Sequence, residues 1–127
     1  MLVVTIFVIV VMGFLASSLT RINWSNSDNL TREQLGTQAW LMAHSANEWA
    51  LTKLYPPGES ASVSSACTTI QGKKPNVSVN SPCRPPQMTC QSIGQLQGET
   101  FYRVEAIAVC GSGILEVERR QEVWVKE

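Results

Sequence analysis

Four cysteines, Cys67, Cys83, Cys90 and Cys110, are the residues of this chain best suited to covalent or metal chemistry. They follow one another at spacings of 16, 7 and 20 positions with no C-x-x-C pair, so neither zinc-ribbon nor thiol-oxidoreductase spacing is present. The single histidine, His44, lies far from them and completes no familiar ligand set. An even number of cysteines in a small translocated domain points to disulfides, here two of them. Four cysteines allow three connectivities. Local loop closure favours Cys67 with Cys83 and Cys90 with Cys110, a strand through Cys90 returning along the strand that ends at Cys110.

Catalysis has little else to draw on. His44 sits in Leu41-Met42-Ala43-His44-Ser45-Ala46, where a hydrogen-bonded, partly buried histidine on a packed helix is the ordinary reading, and Glu33 and Glu48 read as solvated helix charges. No Gly-rich phosphate loop, nucleophile elbow or metal-binding helix motif is found, so no catalytic residue, cofactor or metal is expected. Ten Lys and Arg balance ten Asp and Glu without gathering into a basic stripe, which argues against nucleic acid as a partner. The triplets at Asn23, Asn29 and Asn76 fit glycosylation sequons, which matter only in a eukaryotic secretory pathway.

The elements that would position these residues begin with an apolar run. Met1 to Leu19 carries no charge and only Thr5, Gly13, Ser17 and Ser18 among its apolar residues. As a helix rising about 1.5 Å per residue it covers close to the ~30 Å of a bilayer core, with Ile22 and Trp24 at the far interface. A cleaved secretory signal, with Ala16-Ser17-Ser18 as its small-residue site, is the alternative, but it lacks the basic n-region and short apolar core of that class. After a polar patch at 25–29, Thr31 and Gln34 have the spacing of a capping box, and Leu35, Ala39, Met42, Ala46, Trp49 and Leu54 draw one apolar stripe along a second helical pattern. Tyr55-Pro56-Pro57-Gly58 stops it. Read as one rod, 1–54 spans about 80 Å, with Gly13 and the polar patch as the places to bend or melt.

Beyond Gly58 the pattern changes to Ser, Thr, Pro and Gly punctuation with short β-rich runs. Val63 to Ile70 and Val77 to Val79 are weak strand candidates, and ETFYRVEAIAVC and ILEVERRQEVWVKE are strong ones about Gly111-Ser112-Gly113. A two-residue turn at Ser112-Gly113 sets Glu105 opposite Arg120, Arg103 opposite Glu122 and Phe101 opposite Trp124. The other face then carries Cys110, Ala108, Val104 and Tyr102 against Leu115, Val117, Gln121 and Val123, with Arg119 the one misfit. A three-residue loop, placing Glu105 opposite Arg119, is the competing register. The fold class expected is α+β: residues 1–24 as a transmembrane or filament-core segment and 25–127 as one head, with a helix over 30–54 laid on the antiparallel sheet of 59–127.

An apolar helix that turns amphipathic and feeds a disulfide-bearing antiparallel sheet resembles the type IV pilins and pseudopilins. The likeness runs through IFVIVVMGFLASSL, the helix around Ala39 to Ala50, and YRVEAIAVCGSGILEVERRQEVWV. It implies a non-enzymatic, pilin-like structural subunit anchored in the bacterial inner membrane with a periplasmic head, later packed into an extracellular filament. Its partners would be other minor and major pilins and the inner-membrane assembly machinery. The membrane and filament packing positions would be Met1, Thr5, Phe7, Met12, Gly13 and Phe14.

The resemblance also implies a short basic leader cut by a prepilin peptidase and a methylated new N-terminus. If Met1 is mature residue one, Thr5 stands where the family has a glutamate, as in minor subunits that initiate or cap a filament. Adhesion through the loop from Gly72 to Gln87 to an unknown surface ligand is the rival expectation, and a signal-anchored envelope protein without a filament is a third.

Overall fold

The computed structural model describes residues 1–77 and 81–127. Its first element, α1 (Leu2–Leu54), is a single uninterrupted α-helix about 80 Å long at 1.5 Å per residue. The interruption expected at Gly13 and 25–29 does not occur, and Thr31 does not cap a new helix. Its hydroxyl donates instead to the Ser27 carbonyl one turn back at 3.0 Å, as Thr20 does to Ala16 and Thr37 to Glu33. This back-bonding absorbs polar side chains in mid-helix without offering the backbone an alternative conformation. The helix ends where expected, the Tyr55 amide donating to the Leu51 carbonyl before the two prolines.

Val63–Ile70, expected as a strand, is a second helix, α2. Val63, Cys67 and Ile70 are buried at i, i+4 and i+7, a helical period that outweighs the β-branched composition. Of the expected strand Val77 to Val79, only Val77 is among the described residues, and it lies in a loop.

The sheet is an antiparallel meander in the order β1 (Gln87–Leu96), β2 (Glu99–Cys110), β3 (Val117–Lys126). β1 and β2 join through a two-residue turn, Gln97 and Gly98, both at positive φ (53° and 87°), the conformation of tight hairpins that match strand twist. β1 carries a bulge between Ser92 and Gly94. β2 and β3 join through 111–116, which holds a 3-10 turn at Gly113–Leu115.

This longer connection corrects the hairpin register by two residues. Glu105 pairs with Glu122, Arg103 with Trp124, Phe101 with Lys126 and Cys110 with Val117. Neither the two-residue nor the three-residue loop is formed. A shift of two preserves the faces, so Tyr102, Val104, Ala106, Ala108 and Cys110 point to the core.

That core lies between the sheet and the C-terminal half of α1, closed at one side by α2. Ala39, Ala43, Ala46 and Ala50 are wholly buried, and such small side chains let the helix axis come close to the strands. Met42 and Leu54 are buried beside them, while Leu35 and Trp49 are half-buried. The packed face is thus rotated from the predicted stripe and also includes Gly36, Ala43, Asn47 and Ala50. Full burial of side chains the size of Leu54, Ile70, Met88 and Val104 contributes about 1.5–3 kcal/mol each before entropy is set against it.

Candidate functional site

The residues singled out by sequence fall into three places. Met1, Thr5, Phe7, Met12, Gly13 and Phe14 lie on the N-terminal half of α1, where every residue from Met1 to Gln34 is exposed. Phe7 is 67% and Phe14 77% exposed, and a Cβ built on Gly13 meets no described atom within 4 Å. The Thr5 hydroxyl donates to the Leu2 carbonyl at 2.7 Å, so its polarity is spent inside the helix. Large apolar side chains exposed on all sides of a rod call for a non-aqueous surrounding. By length and composition this segment is a candidate membrane anchor or signal segment. Leu2 to Leu19 rises about 27 Å, close to the apolar thickness of a bilayer. In a membrane-spanning placement Arg21 and Trp24 would follow at the height of one interface.

The second place is the head's disulfide framework, which corrects the expected pairing: Cys67 joins Cys90 and Cys83 joins Cys110. Local closure fails as a guide because α2 folds back beside β1. The Cys90 amide donates to the Gln71 side-chain oxygen at 2.6 Å, Gly72 donates to the Met88 carbonyl and Met88 to that of Lys73, so 71–73 line the outer edge of β1. Cys67, on the buried face of α2, then meets Cys90. Cys83 reaches Cys110 as a direct cross-strand neighbour, flanked by bonds from Arg84 to the Val109 carbonyl and from Gly111 to that of Pro82. The loop from Gly72 to Gln87 is therefore fastened at both ends, while its 78–80 portion lies outside the described residues.

The third place is the exposed flank of α1. His44 stacks on Trp40 with ring centroids 5.4 Å apart and stands 3.8 Å from Glu48. Glu33 lies about four turns from Glu48 along the same helix, so the two acids form no pair. Among the described residues no group of three His, Cys, Asp or Glu could hold a metal ion. Arg119, the misfit of the core-facing side of β3, does not enter the core. It is exposed and lies across Gly36, where a Cβ would stand 3.0 Å from its Nη2.

Sequence reasoning missed three residues that tie the rod to the head. Asn47 is 2% exposed and donates to the Gln121 carbonyl at 3.1 Å, while its Oδ1 finds no partner among the described residues. The Tyr55 hydroxyl donates to the Lys126 carbonyl at 2.7 Å and accepts from the Lys126 amide at 3.2 Å. Arg32 donates to the Ile114 carbonyl at 3.0 Å. None carried a clear signal: Asn47 lies outside the stripe read from sequence and belongs to the packed face only because that face is rotated. On the opposite sheet face, the hydrogen bond and charge of Glu118, and then of Glu105, raise the Arg120 pKa above its ordinary value.

No family model matches the chain, and neither a curated protein nor a solved structure is found to be similar to it.

Proposed function

We propose that this chain is a minor subunit of a type IV pilus, of the kind represented by the minor pilin P of the mannose-sensitive haemagglutinin pilus, which helps initiate the filament or caps it. The observation that carries the reading is the continuity of α1. One helix is apolar and exposed over its first half and packed on a disulfide-bonded antiparallel sheet over its second. A rod continuous with the core of its head passes any position imposed on the apolar half directly to the head. That coupling suits a part that exchanges lipid for neighbouring helices during assembly.

In this reading the chain does its work by packing. The apolar half rests in the inner membrane until extraction, then lies among the helices of other pilins, and the head stays in an oxidising space where both disulfides form. The test is fractionation of cells producing the whole chain. Recovery in sheared filaments at a few copies per filament, with fewer filaments in a deletion strain, is the expected result. Recovery in membranes alone points to an anchored envelope protein, and a soluble product cut after Ser18 to a secreted domain; either result overturns the proposal. Copy numbers equal to those of a major subunit would overturn the minor role.

A further inference from the structure

Arg119 poses a question that the packing of the head does not answer. Its side chain leaves the core-facing side of β3, yet the guanidinium is not buried, and among the described residues it forms no ion pair. Its one hydrogen bond goes from Nη1 to the carbonyl of its own neighbour, Glu118, at 3.1 Å. The helix makes room for it at Gly36, the one position of the packed stretch where a missing Cβ leaves space for Nη2. Glu33, Gly36, Thr37, Trp40 and Arg119 line an open groove of about 270 Å³. Trp40 is 43% exposed there and held flat by its stack on His44. Among the described residues no strand pairs with the outer edge of β3 alongside, and Lys126 is capped by Tyr55 at the far end.

We infer that this groove is a docking point for a carboxylate-bearing segment of a neighbouring protein subunit, an inference that rests on the assembly reading above. A guanidinium offers a planar fork of donors that matches a carboxylate, and Arg beside an exposed Trp in a concave setting is the composition of interface anchors. A partner's acid would take the free Nη2 donors while an apolar neighbour on the same segment covers the Trp40 ring. Anionic lipid is the weaker candidate on height alone. Gly36 lies twelve residues, or about 18 Å, beyond Trp24 along the helix, whereas the polar zone of a bilayer extends only about 5–8 Å past its apolar core. A second copy paired edge to edge through β3 about a two-fold axis fails for another reason. It would set the two α1 rods antiparallel and send their apolar halves in opposite directions.

The experiment places a photo-crosslinking phenylalanine analogue at Thr37, and separately at Phe7, in the whole chain produced in its own cells. From Thr37 the expected product is a protein adduct mapping to a peptide with an Asp or Glu. Its yield should fall about tenfold in Arg119→Glu and return when that acid is changed to Arg. Gly36→Ala keeps every charge and favours the helix, so it guards against misfolding in the first variant. Its Cβ would stand 3.0 Å from Nη2, so the guanidinium must shift by a few tenths of an ångström, and the yield is expected to fall measurably but less than in Arg119→Glu. Unchanged Thr37 adducts in both variants, with protein adducts from Phe7 intact, overturn the docking point and leave the assembly reading standing. Adducts of Thr37 to lipid or glycan also overturn it. Lipid adducts alone from Phe7 overturn the assembly reading and this inference with it.

Discussion

The two halves of α1 share one backbone and differ in what their side chains touch. From Leu2 to Leu19 large apolar groups point outward on every side, and none contributes to the core. From Gly36 to Leu54 one side, built mainly from small residues with Met42 and Leu54, is buried against the sheet, while Trp40, Leu41, Glu48 and Lys53 lie on the exposed side. The first half is therefore a surface without its solvent, and the second is half of a finished core. A substitution should be felt in one half through insertion and assembly, and in the other through folding.

A charge placed in each half should separate these consequences most widely. Ala43 is completely buried against the sheet. Ala43→Asp leaves an unpaired carboxylate there and is expected to cost more than about 4 kcal/mol, enough to abolish cooperative melting of the head in detergent. Val10→Arg should leave that melting unchanged while costing about 2.5–3.5 kcal/mol of membrane insertion, read as the fraction of chain recovered with membranes. A lower melting temperature for Val10→Arg would break the comparison, because it would mean that the apolar half folds onto the head.

The disulfides belong wholly to the second region and should act only there. Closing loops of 27 and 23 positions, each is worth about 3.5 kcal/mol by chain entropy. Replacing Cys83 and Cys110 together, or Cys67 and Cys90 together, should lower head stability by about that much in denaturant titration and leave membrane recovery unaltered. Loop length does not distinguish the bridges, but position does. Loss of Cys67–Cys90 should loosen α2 first, seen as faster amide exchange over 63–70, while α1 on β2 and β3 stays protected. Non-reducing peptide mapping that returned Cys67 with Cys83 would contradict the framework itself.

How far these features could be read from residues follows from which patterns have a single structural solution. An uncharged run through Leu19 and the prolines at 56 and 57 fix where α1 can lie, and alternation along β2 fixes which side of the sheet is buried. The β2–β3 register was not legible, because sliding by two residues leaves both faces unchanged. The charge match that suggested a two-residue turn exists only as a diagonal contact, Arg120 to Glu105 at 3.7 Å. The observed connection requires a glycine at Gly111, at φ 85°, where a Cβ would strike the Leu115 carbonyl at 2.8 Å and Leu35 at 2.9 Å. That wedge between loop and helix exists only once α1 is packed. β1 was legible only as a strand through Cys90, because the bulge before Gly94 breaks its alternation and its turn uses a glutamine at positive φ. The β-branched Val63, Thr68, Thr69 and Ile70 suggest a strand for the α2 segment, but the helical period of its buried Val63, Cys67 and Ile70 prevails. Among the stripe residues Ala39, Met42, Ala46 and Leu54 are buried while Leu35 and Trp49 are half-buried, and the disulfide partners depend on the helical state of α2.

A smaller effect sharpens the boundary inside the packed half. Asn47 holds one hydrogen bond to the Gln121 carbonyl while its Oδ1 finds no partner among the described residues. Asn47→Ala loses the bond but also removes the unsatisfied oxygen, so the expected cost is only about 1 kcal/mol, as a lower melting temperature in the same detergent. Asn47→Asp removes the donor and buries a charge, and should cost several-fold more. A neutral Asn47→Asp would show that this stretch of α1 is open to water and that the packed half ends before it.

The smallest expected effect lies at Gly13. Among the described residues nothing comes within 4 Å of a Cβ built there, so Gly13→Ala removes no close contact and gains at most the ~1 kcal/mol of helix propensity that separates the two residues in water. Since no part of the head senses that position, the head's melting temperature should stay constant and membrane recovery should not fall. A methyl group at Gly13 can matter only to another molecule. Small residues let helix backbones approach closely in an apolar medium, so a neighbouring helix seated there would be pushed away by the added carbon. The measurement is the yield of Phe7 photo-adducts to protein in Gly13→Ala against the parent chain. A clear drop, with the head's stability constant, places a partner helix at this turn. An unchanged yield restricts the partner to the faces carrying Phe7, Met12 and Phe14, and leaves Gly13 as a position that the rod tolerates without using.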